Sequence, residues 1–359
     1  MEINISNVLS QFPFEGNLVS IEPVNEGWIN TTVLVKFDKK QYIVQKINTA
    51  VFTKPDELMK NIVDVTGYLS DAIKASGGDP DRETLHFLKT LDGKLYYTDE
   101  DGSCWRSYVY VDDCYTLGSN CSLDEIYEAA KAFGHFQYML GDFPGNKLFE
   151  IIDGFHHTPT RMERLKKAIA EDKVGRVCEA QEEINCLLER EKNCSVVTDL
   201  LAKGEIPIRV THNDTKINNI LFDNKTKKAI CVIDLDTIMP GSSLYDFGDG
   251  IRTGATDGAE DDVDNIGLNI KSYEAYVKGF LEGANGKLVE KEIELLPFSA
   301  ILLTQEVAIR FLTDYLEGDV YFKINYPDQN LVRTKAQLNL VKDMESKLER
   351  MNEITQSCK

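Results

Sequence analysis

Val210-Thr211-His212-Asn213-Asp214-Thr215-Lys216-Ile217-Asn218-Asn219-Ile220-Leu221-Phe222, followed after a short polar turn by Ile230-Cys231-Val232-Ile233-Asp234-Leu235-Asp236, is the stretch that decides how this chain folds. Two apolar segments, 219–222 and 230–233, flank the turn Asp223-Asn224-Lys225, the pattern of a β-hairpin. Asp214 and Asn219 come before the first strand, and Asp234 follows the second. A hairpin closes on itself, so two carboxylates and an amide are expected at one point. Such hard oxygen donors suit Mg²⁺, which keeps waters and substrate phosphates in its shell. A polar turn with solvated carboxylates is the alternative reading of the same residues.

Outward from this island the periodicity changes. Toward the N-terminus, Leu18-Val19-Ser20-Ile21, Thr31 to Phe37 and Tyr42 to Ile47 read as strands, with Asp38-Lys39-Lys40 turning between the last two. Residues 55–76 carry Leu58, Ile62, Val65 and Leu69 on one helical face. Two further strands are expected at 85–98 and 105–111, separated by Asp99-Glu100-Asp101-Gly102. Beyond that, helices dominate. Ser122 and Glu125 form a capping-box pattern before Ile126, Ala129, Ala130, Phe133 and Leu140. Helical patterns recur near 160–171, 179–191, 270–282, 298–316 and 335–354, and 206–238 is a β-rich island among them. The expectation is an α+β, protein-kinase-like bilobal fold. Residues 1–111 would form a small β-rich nucleotide-binding lobe, and 112–359 a larger helical lobe with the catalytic and acceptor sites.

Composition limits the function classes. The 359 residues carry a formal net charge of −19. That disfavours nucleic acid, whose phosphates call for clustered Lys and Arg, and it disfavours anionic membranes. An acidic chain would suit a cationic substrate. The eight cysteines contain no C-x-x-C pair, so zinc-ribbon and thioredoxin readings fail and reduced, packed thiols are expected. Reduced thiols, no signal peptide and no run of 18 apolar residues point to the cytoplasm. His156-His157 has no third ligand nearby and does not read as a zinc site. No obligate protein partner is indicated.

The H-x-D-x-x-x-x-N pattern, with an apolar-Asp pair after the hairpin, resembles the protein-kinase catalytic loop and metal-binding Asp. It is closer to the aminoglycoside phosphotransferase and choline kinase superfamily. Asn25-Glu26-Gly27-Trp28-Ile29-Asn30-Thr31-Thr32, Tyr42-Ile43-Val44-Gln45-Lys46-Ile47-Asn48, Ile233 to Gly241 and Arg310-Phe311-Leu312-Thr313-Asp314-Tyr315-Leu316 further resemble the N-acetylhexosamine 1-kinases. That family uses ATP to phosphorylate the anomeric hydroxyl of N-acetylglucosamine and N-acetylgalactosamine.

The resemblance implies ATP and Mg²⁺, with Asp214 as base for the acceptor hydroxyl and Asn219 and Asp234 as metal ligands. His212 would orient the loop, and Asp236 would be a further metal or water ligand. Gly27, Trp28, Ile29 and Asn30 would approach the phosphates through their backbone, although an ordinary hairpin turn explains them equally. Kinases place a phosphate-binding cation on the third strand. Here Gln45 occupies that position and Lys46 points away unless a bulge turns it, so both remain open; Glu57 is the available helical partner. Tyr108-Val109-Tyr110-Val111-Asp112-Asp113 would connect the lobes and read the adenine edge, or be a plain β-edge. At the acceptor end, Arg310 and Tyr321 would contact the sugar, with a structural ion pair as the alternative for Arg310. Asp246, in Tyr245-Asp246-Phe247, would support the acceptor site from behind the catalytic loop. Rival readings keep the core and change the acceptor to an aminoglycoside, choline, homoserine or methylthioribose, or make the chain a non-enzymatic scaffold.

Overall fold

The computed structural model describes residues 5–24, 29–118 and 120–359. The N-terminal part opens with a short helix α1 (Ser6–Leu9), then strands β1 (Leu18–Val24), β2 (Thr31–Phe37) and β3 (Gln41–Lys46). Helix α2 (Pro55–Ser76) and the single turn α3 (Pro80–Glu83) follow, then β4 (Tyr97–Thr98) and β5 (Cys104–Val109). The strands form one antiparallel sheet in the order β1-β2-β3-β5-β4. The strand expected over 85–98 is mostly absent. Only Tyr97–Thr98 pairs as a strand, and Phe87 makes an isolated bridge to Tyr108.

Strand alternation gives this sheet two faces. Val33, Val35, Val44 and Trp105 point outward and are covered by Ile5, Val8 and Phe12 of the N-terminal segment. The other face meets α2. That helix starts with Pro55 at its first turn and stops at Gly77 in the left-handed region (φ 82°), which satisfies the last carbonyls. Leu58, Met59, Ile62, Val65 and Leu69 are buried there together with Leu235, Ile238 and Met239, so the sheet, α2 and the β-rich island share one core.

The second part begins with β6 (Cys114–Thr116) and α4 (Leu123–Met139), whose capping box forms with the Ser122 side chain on the Glu125 amide. Then come α5 (Thr158–Glu171), α6 (Gln181–Leu188), α7 (Val196–Lys203), β7 (Arg209–Thr211), β8 (Ile220–Asp223), β9 (Ala229–Val232) and β10 (Met239–Gly241). Helix α8 (Ser243–Gly254), the pair β11 (Thr256–Asp257) and β12 (Gly267–Leu268), α9 (Ile270–Ala284), α10 (Glu290–Glu317) and α11 (Gln329–Ser357) complete the chain. α4 and α9 pack backbone to backbone. A Cβ at Gly134 would lie 2.1 Å from the Phe280 carbonyl, and one at Gly283 would lie 2.1 Å from the Lys131 carbonyl. By length and composition α10 could cross a bilayer, but most of it is buried inside the protein, where it packs against α8, α5 and α11.

Candidate active site

β7 and β10 pair antiparallel, Thr211 opposite Met239, and so close the base of a loop that runs from 212 to 238. Inside it, β8 and β9 form the expected hairpin and β6 pairs with the outer edge of β8. Asn213 (φ 66°) and Asp234 (φ 59°) take the left-handed conformation that Asn and Asp tolerate best. The Asn213 amide locks its own turn by donating to the carbonyls of Thr211 (3.2 Å) and Thr237 (2.7 Å).

These turns bring Asp214 and Asn219 together. The Asn219 side-chain amide donates to the Asp214 carbonyl at 2.8 Å and to its Oδ2 at 3.3 Å. Asp234 is joined to the same point through its neighbour. The Ile233 N–H donates to the Asn219 carbonyl (2.9 Å), and His212 Nε2 meets the Ile233 carbonyl (2.8 Å). His212 Nδ1 accepts from the Asp214 N–H at 3.3 Å. Asp246, on α8, lies beneath the loop and is 1% exposed. Its carboxylate accepts from the N–H groups of His212 (3.0 Å) and Asn213 (2.8 Å) and from the Gln137 amide (2.7 Å). It therefore holds the loop from below and does not reach the cleft.

The charges at this point are unbalanced. Burial, then the neighbouring Asp236 and Asp214 carboxylates, push the Asp234 carboxyl up to about 6. Water still reaches it from the cleft. Among the described residues no group of three or more His, Cys, Asp or Glu could hold a metal ion alone. The two carboxylates and the amide are nevertheless hard oxygen donors of the kind that Mg²⁺ shares with a nucleotide. Lys216 Nζ lies 2.9 Å from Asp214 Oδ1. Asp249, ion-paired to Arg252 at 2.8 Å, keeps its buried Oδ2 without a hydrogen-bond partner among the described residues.

The roof of the cleft is built differently from the expectation. Gln45 faces the cleft from β3, but its cross-strand partner on β5 is Arg106, the cation that sequence reasoning missed. Arg106 donates to Gln45 Oε1 from Nε (3.0 Å) and Nη2 (2.8 Å) and forms a buried ion pair with Asp236. Asp236 also accepts from the Asn30 amide at 2.6 Å, so its two oxygens are occupied by protein donors. Lys46 is on the opposite face, its ammonium 5.9 Å from the Trp105 ring centroid. Glu57 meets Lys54 (3.6 Å) at the start of α2. The clue to Arg106 was an Arg inside an apolar strand, opposite a glutamine where a cation was expected.

Of the other nucleotide candidates, Gly27 and Trp28 lie outside the described residues. Ile29 is exposed, and its carbonyl accepts from the Asn48 amide at 3.3 Å. Tyr108 is on the cleft face of β5, its ring 5.0 Å from Phe87, and burial raises its hydroxyl pKa. The Tyr110 N–H donates to the Gln41 carbonyl at 3.0 Å, which ties the connector 110–113 to the sheet.

A second cavity, about 100 Å³, lies between α5 and α10, lined by Phe155, Arg161, Arg164, Arg310, Tyr321 and Phe322 among others. Arg310 forms no ion pair among the described residues. Its guanidinium sits among three rings, Phe155 (5.6 Å), Phe322 (5.4 Å) and Tyr321 (5.9 Å). The acid one turn away on α10, Asp314, is turned from it and accepts the N–H groups of Val320 (3.0 Å), Tyr321 (2.8 Å) and Phe322 (3.0 Å). Arg164 is paired with Glu317, while Arg161 keeps a buried Nε without a hydrogen-bond partner among the described residues. Sequence reasoning did not find Arg161 and Arg164, which are far from Arg310 in the chain and meet it only through helix packing.

Comparisons with known proteins agree with this architecture. Residues 20–269 match the model described as the phosphotransferase enzyme family. A spectinomycin phosphotransferase solved with ADP and spectinomycin superposes with a TM-score of 0.60 at 15% identity, covering 98% of this chain and 100% of that one. An aminoglycoside phosphotransferase from Alicyclobacillus acidocaldarius gives 0.63 at 10% identity, covering 99% and 98%. An amicoumacin kinase solved with AMP-PNP and Ca²⁺ gives 0.59 at 12% identity, covering 98% and 92%. At such identities the likeness is one of fold.

Proposed function

The chain belongs to the phosphotransferase enzyme family, and from that premise we propose that it is an ATP- and Mg²⁺-dependent kinase that phosphorylates the anomeric hydroxyl of N-acetylhexosamines. The observation that carries the kinase reading is the meeting of Asp214, Asn219 and Asp234 at one end of the hairpin, with Arg106 above them. Asn219 and Asp234 would hold the metal, which when bound offsets charge on the phosphate oxygens. The ADP of the spectinomycin phosphotransferase structure and the AMP-PNP and Ca²⁺ of the amicoumacin kinase structure are in keeping with this.

The chain's own residues do the rest. Asn219 fixes the Asp214 carboxylate at Oδ2. Oδ1, now on Lys216, is the atom that accepts the hydrogen bond of the acceptor hydroxyl and takes its proton late in the transfer. Lys216 then turns toward the transferring phosphoryl or toward the unpaired oxygen of Asp249. The protein supplies mostly position and electrostatics, because phosphoryl transfer asks for little covalent help.

The acceptor class is read from the cavity between α5 and α10. Its arginines offer hydrogen-bond donors to hydroxyl and acetamide oxygens, and its rings offer faces to a pyranose. Arg161 and Arg310 form no ion pair among the described residues and disfavour a cationic acceptor, although Arg164 is neutralised by Glu317 and the Asp314 carboxylate also lines the cavity. This supports a sugar over an aminoglycoside or choline despite the net charge of −19. Such an enzyme would work in the cytoplasm, where ATP is. The test is ADP release against a panel of sugars and amines, with phosphorus NMR of the product. A hexosamine 1-phosphate is expected; transfer only to amines or to another hydroxyl would overturn the acceptor assignment. Asp214→Asn should lower kcat by about 10²–10⁴, the usual worth of a positioned base, and an unchanged kcat would remove Asp214 from the mechanism.

A further inference from the structure

We infer that His156, held by Glu306, is a positioning residue that ties the Asp214 loop to the helix carrying the acceptor pocket. The inference rests on the reading of Asp214 as the base. His156 Nε2 lies 3.2 Å from the Asn213 carbonyl oxygen, and its Nδ1 lies 2.7 Å from Glu306 Oε1. Both partners are acceptors, so each ring nitrogen donates and the imidazole carries two protons. Burial opposes that charge. The Glu306 carboxylate outweighs it, together with its hydrogen bond and the more distant Asp249, and the imidazole pKa is raised. The second Glu306 oxygen accepts from Thr158 Oγ1 at 2.5 Å. Glu306 is fully buried and His156 nearly so, and the ring is gripped between Phe155 (4.7 Å) and Tyr245 (5.1 Å).

The carbonyl that His156 holds belongs to the peptide that leads directly into Asp214. Asp246 of α8 already fixes the N–H groups of residues 212 and 213 from below. The N–H of the Asn213–Asp214 peptide is held by a long bond of 3.3 Å to His212 Nδ1, so a carbonyl left loose would let that peptide shift, Asn213 being in the sparsely populated left-handed region (φ 66°). His156 closes that freedom from the α10 side. Glu306 is one helical turn before Arg310, and Phe155, next to His156, forms a wall of the cavity. Through this pair the base and the acceptor pocket share one rigid support. The distance between carboxylate and hydroxyl would then be set by α10 and not by the loop alone.

Losing this support should misplace the base while leaving both substrates bound. His156→Ala is therefore expected to lower kcat by about 10–100-fold, the scale of an ångström's misplacement, with KM for ATP nearly unchanged. The paired substitution His156→Gln with Glu306→Gln rebuilds an uncharged relay. The new side-chain amide at position 306 can donate to the amide oxygen at position 156, whose own NH₂ can donate to the Asn213 carbonyl, so most of the lost kcat should return. Hydrogen exchange of the amides of residues 212–216 should rise in His156→Ala and fall back in the pair. An unchanged kcat in folded His156→Ala, a defect confined to KM, or a paired variant no better than the single one would each overturn the inference. If His156→Ala fails to fold, the paired variant decides by retaining or losing kcat relative to wild type. If wild type transfers phosphate to no hexosamine, the acceptor reading fails, and the exchange measurement still decides whether His156 holds the loop.

Discussion

Asp234→Asn tests the idea that the proposed metal site is held in an unfavourable state until it is filled. The carboxyl, at 3.8 in an unperturbed chain, is pushed up to about 6 by burial and by two neighbouring acids. In a fully buried setting that displacement would represent about 3 kcal/mol. Water reaches this group from the cleft, and screening reduces the figure to roughly 1 kcal/mol. The folded protein binds the proton more tightly than the unfolded chain. The cost of the ionised carboxylate is therefore complete above about pH 6 and fades as pH falls toward the unfolded value. Asn removes the charge and tolerates the left-handed backbone at least as well. Nucleotide-free Asp234→Asn should thus melt about 1–2 °C above wild type near pH 8, and the gain should shrink in acid. Mg²⁺ with ATP should raise the melting temperature of wild type and not that of the variant. Equal stability near pH 8, or a gain that grows as pH falls, would refute the reasoning.

Arg106→Met leaves the buried Asp236 carboxylate without its counter-charge and should cost about 3–5 kcal/mol in urea unfolding, much of it recovered by adding Asp236→Leu. Asp314→Ala orphans three backbone N–H groups and removes one of the two acceptors of the Asn330 amide, which keeps its bond to Asp319. A loss of about 1–3 kcal/mol is expected by denaturant titration, together with a higher KM for the acceptor and new proteolytic cleavage near residues 318–323. Gly134→Ala forces a methyl against the Phe280 carbonyl and should destabilise by about 1–3 kcal/mol through overpacking, measured by calorimetry, with no shift in nucleotide affinity.

Where local chemistry and tertiary packing agree, the sequence was readable. Helix α2 ends where its proline and left-handed glycine put it, and α4 starts at the capping box. The 220–232 hairpin appears because a polar turn separates two apolar segments of matching length. Helix α8 was not legible. Its run Ser243-Leu244-Tyr245-Asp246-Phe247-Gly248-Asp249-Gly250-Ile251-Arg252-Thr253-Gly254 contains three glycines, which oppose helix formation. They are there because neighbours come close: a Cβ at Gly248 would be 2.4 Å from the Ser299 carbonyl, and one at Gly250 would be 1.8 Å from the Tyr276 hydroxyl oxygen. The strand expected over 85–98 is broken for the opposite reason. Leu85 is buried and Phe87 packs beside it, but the backbone turns at Thr90–Lys94, so only the two ends, 86–88 and Tyr97–Thr98, pair with β5. At the site, the cleft cation is one strand away from its expected position. Only the two strands read together, with Gln45 opposite Arg106, reveal it.

The turn after α10 takes its shape from a carboxylate outside itself. Asp314 gathers the three successive amides of Val320, Tyr321 and Phe322, while Asp319, paired with Arg176, and Phe322, against Phe311, anchor the turn's flanks, so its path at 320 and 321 is written in the helix and not in the side chains at those two positions. Val320 and Tyr321 project from it, 70% and 59% exposed. On the proposed acceptor site, a descendant of this chain could exchange those residues to suit a different acceptor and still inherit the same backbone. Diversification at the pocket's rim would then be inexpensive, while position 314 would admit almost no change.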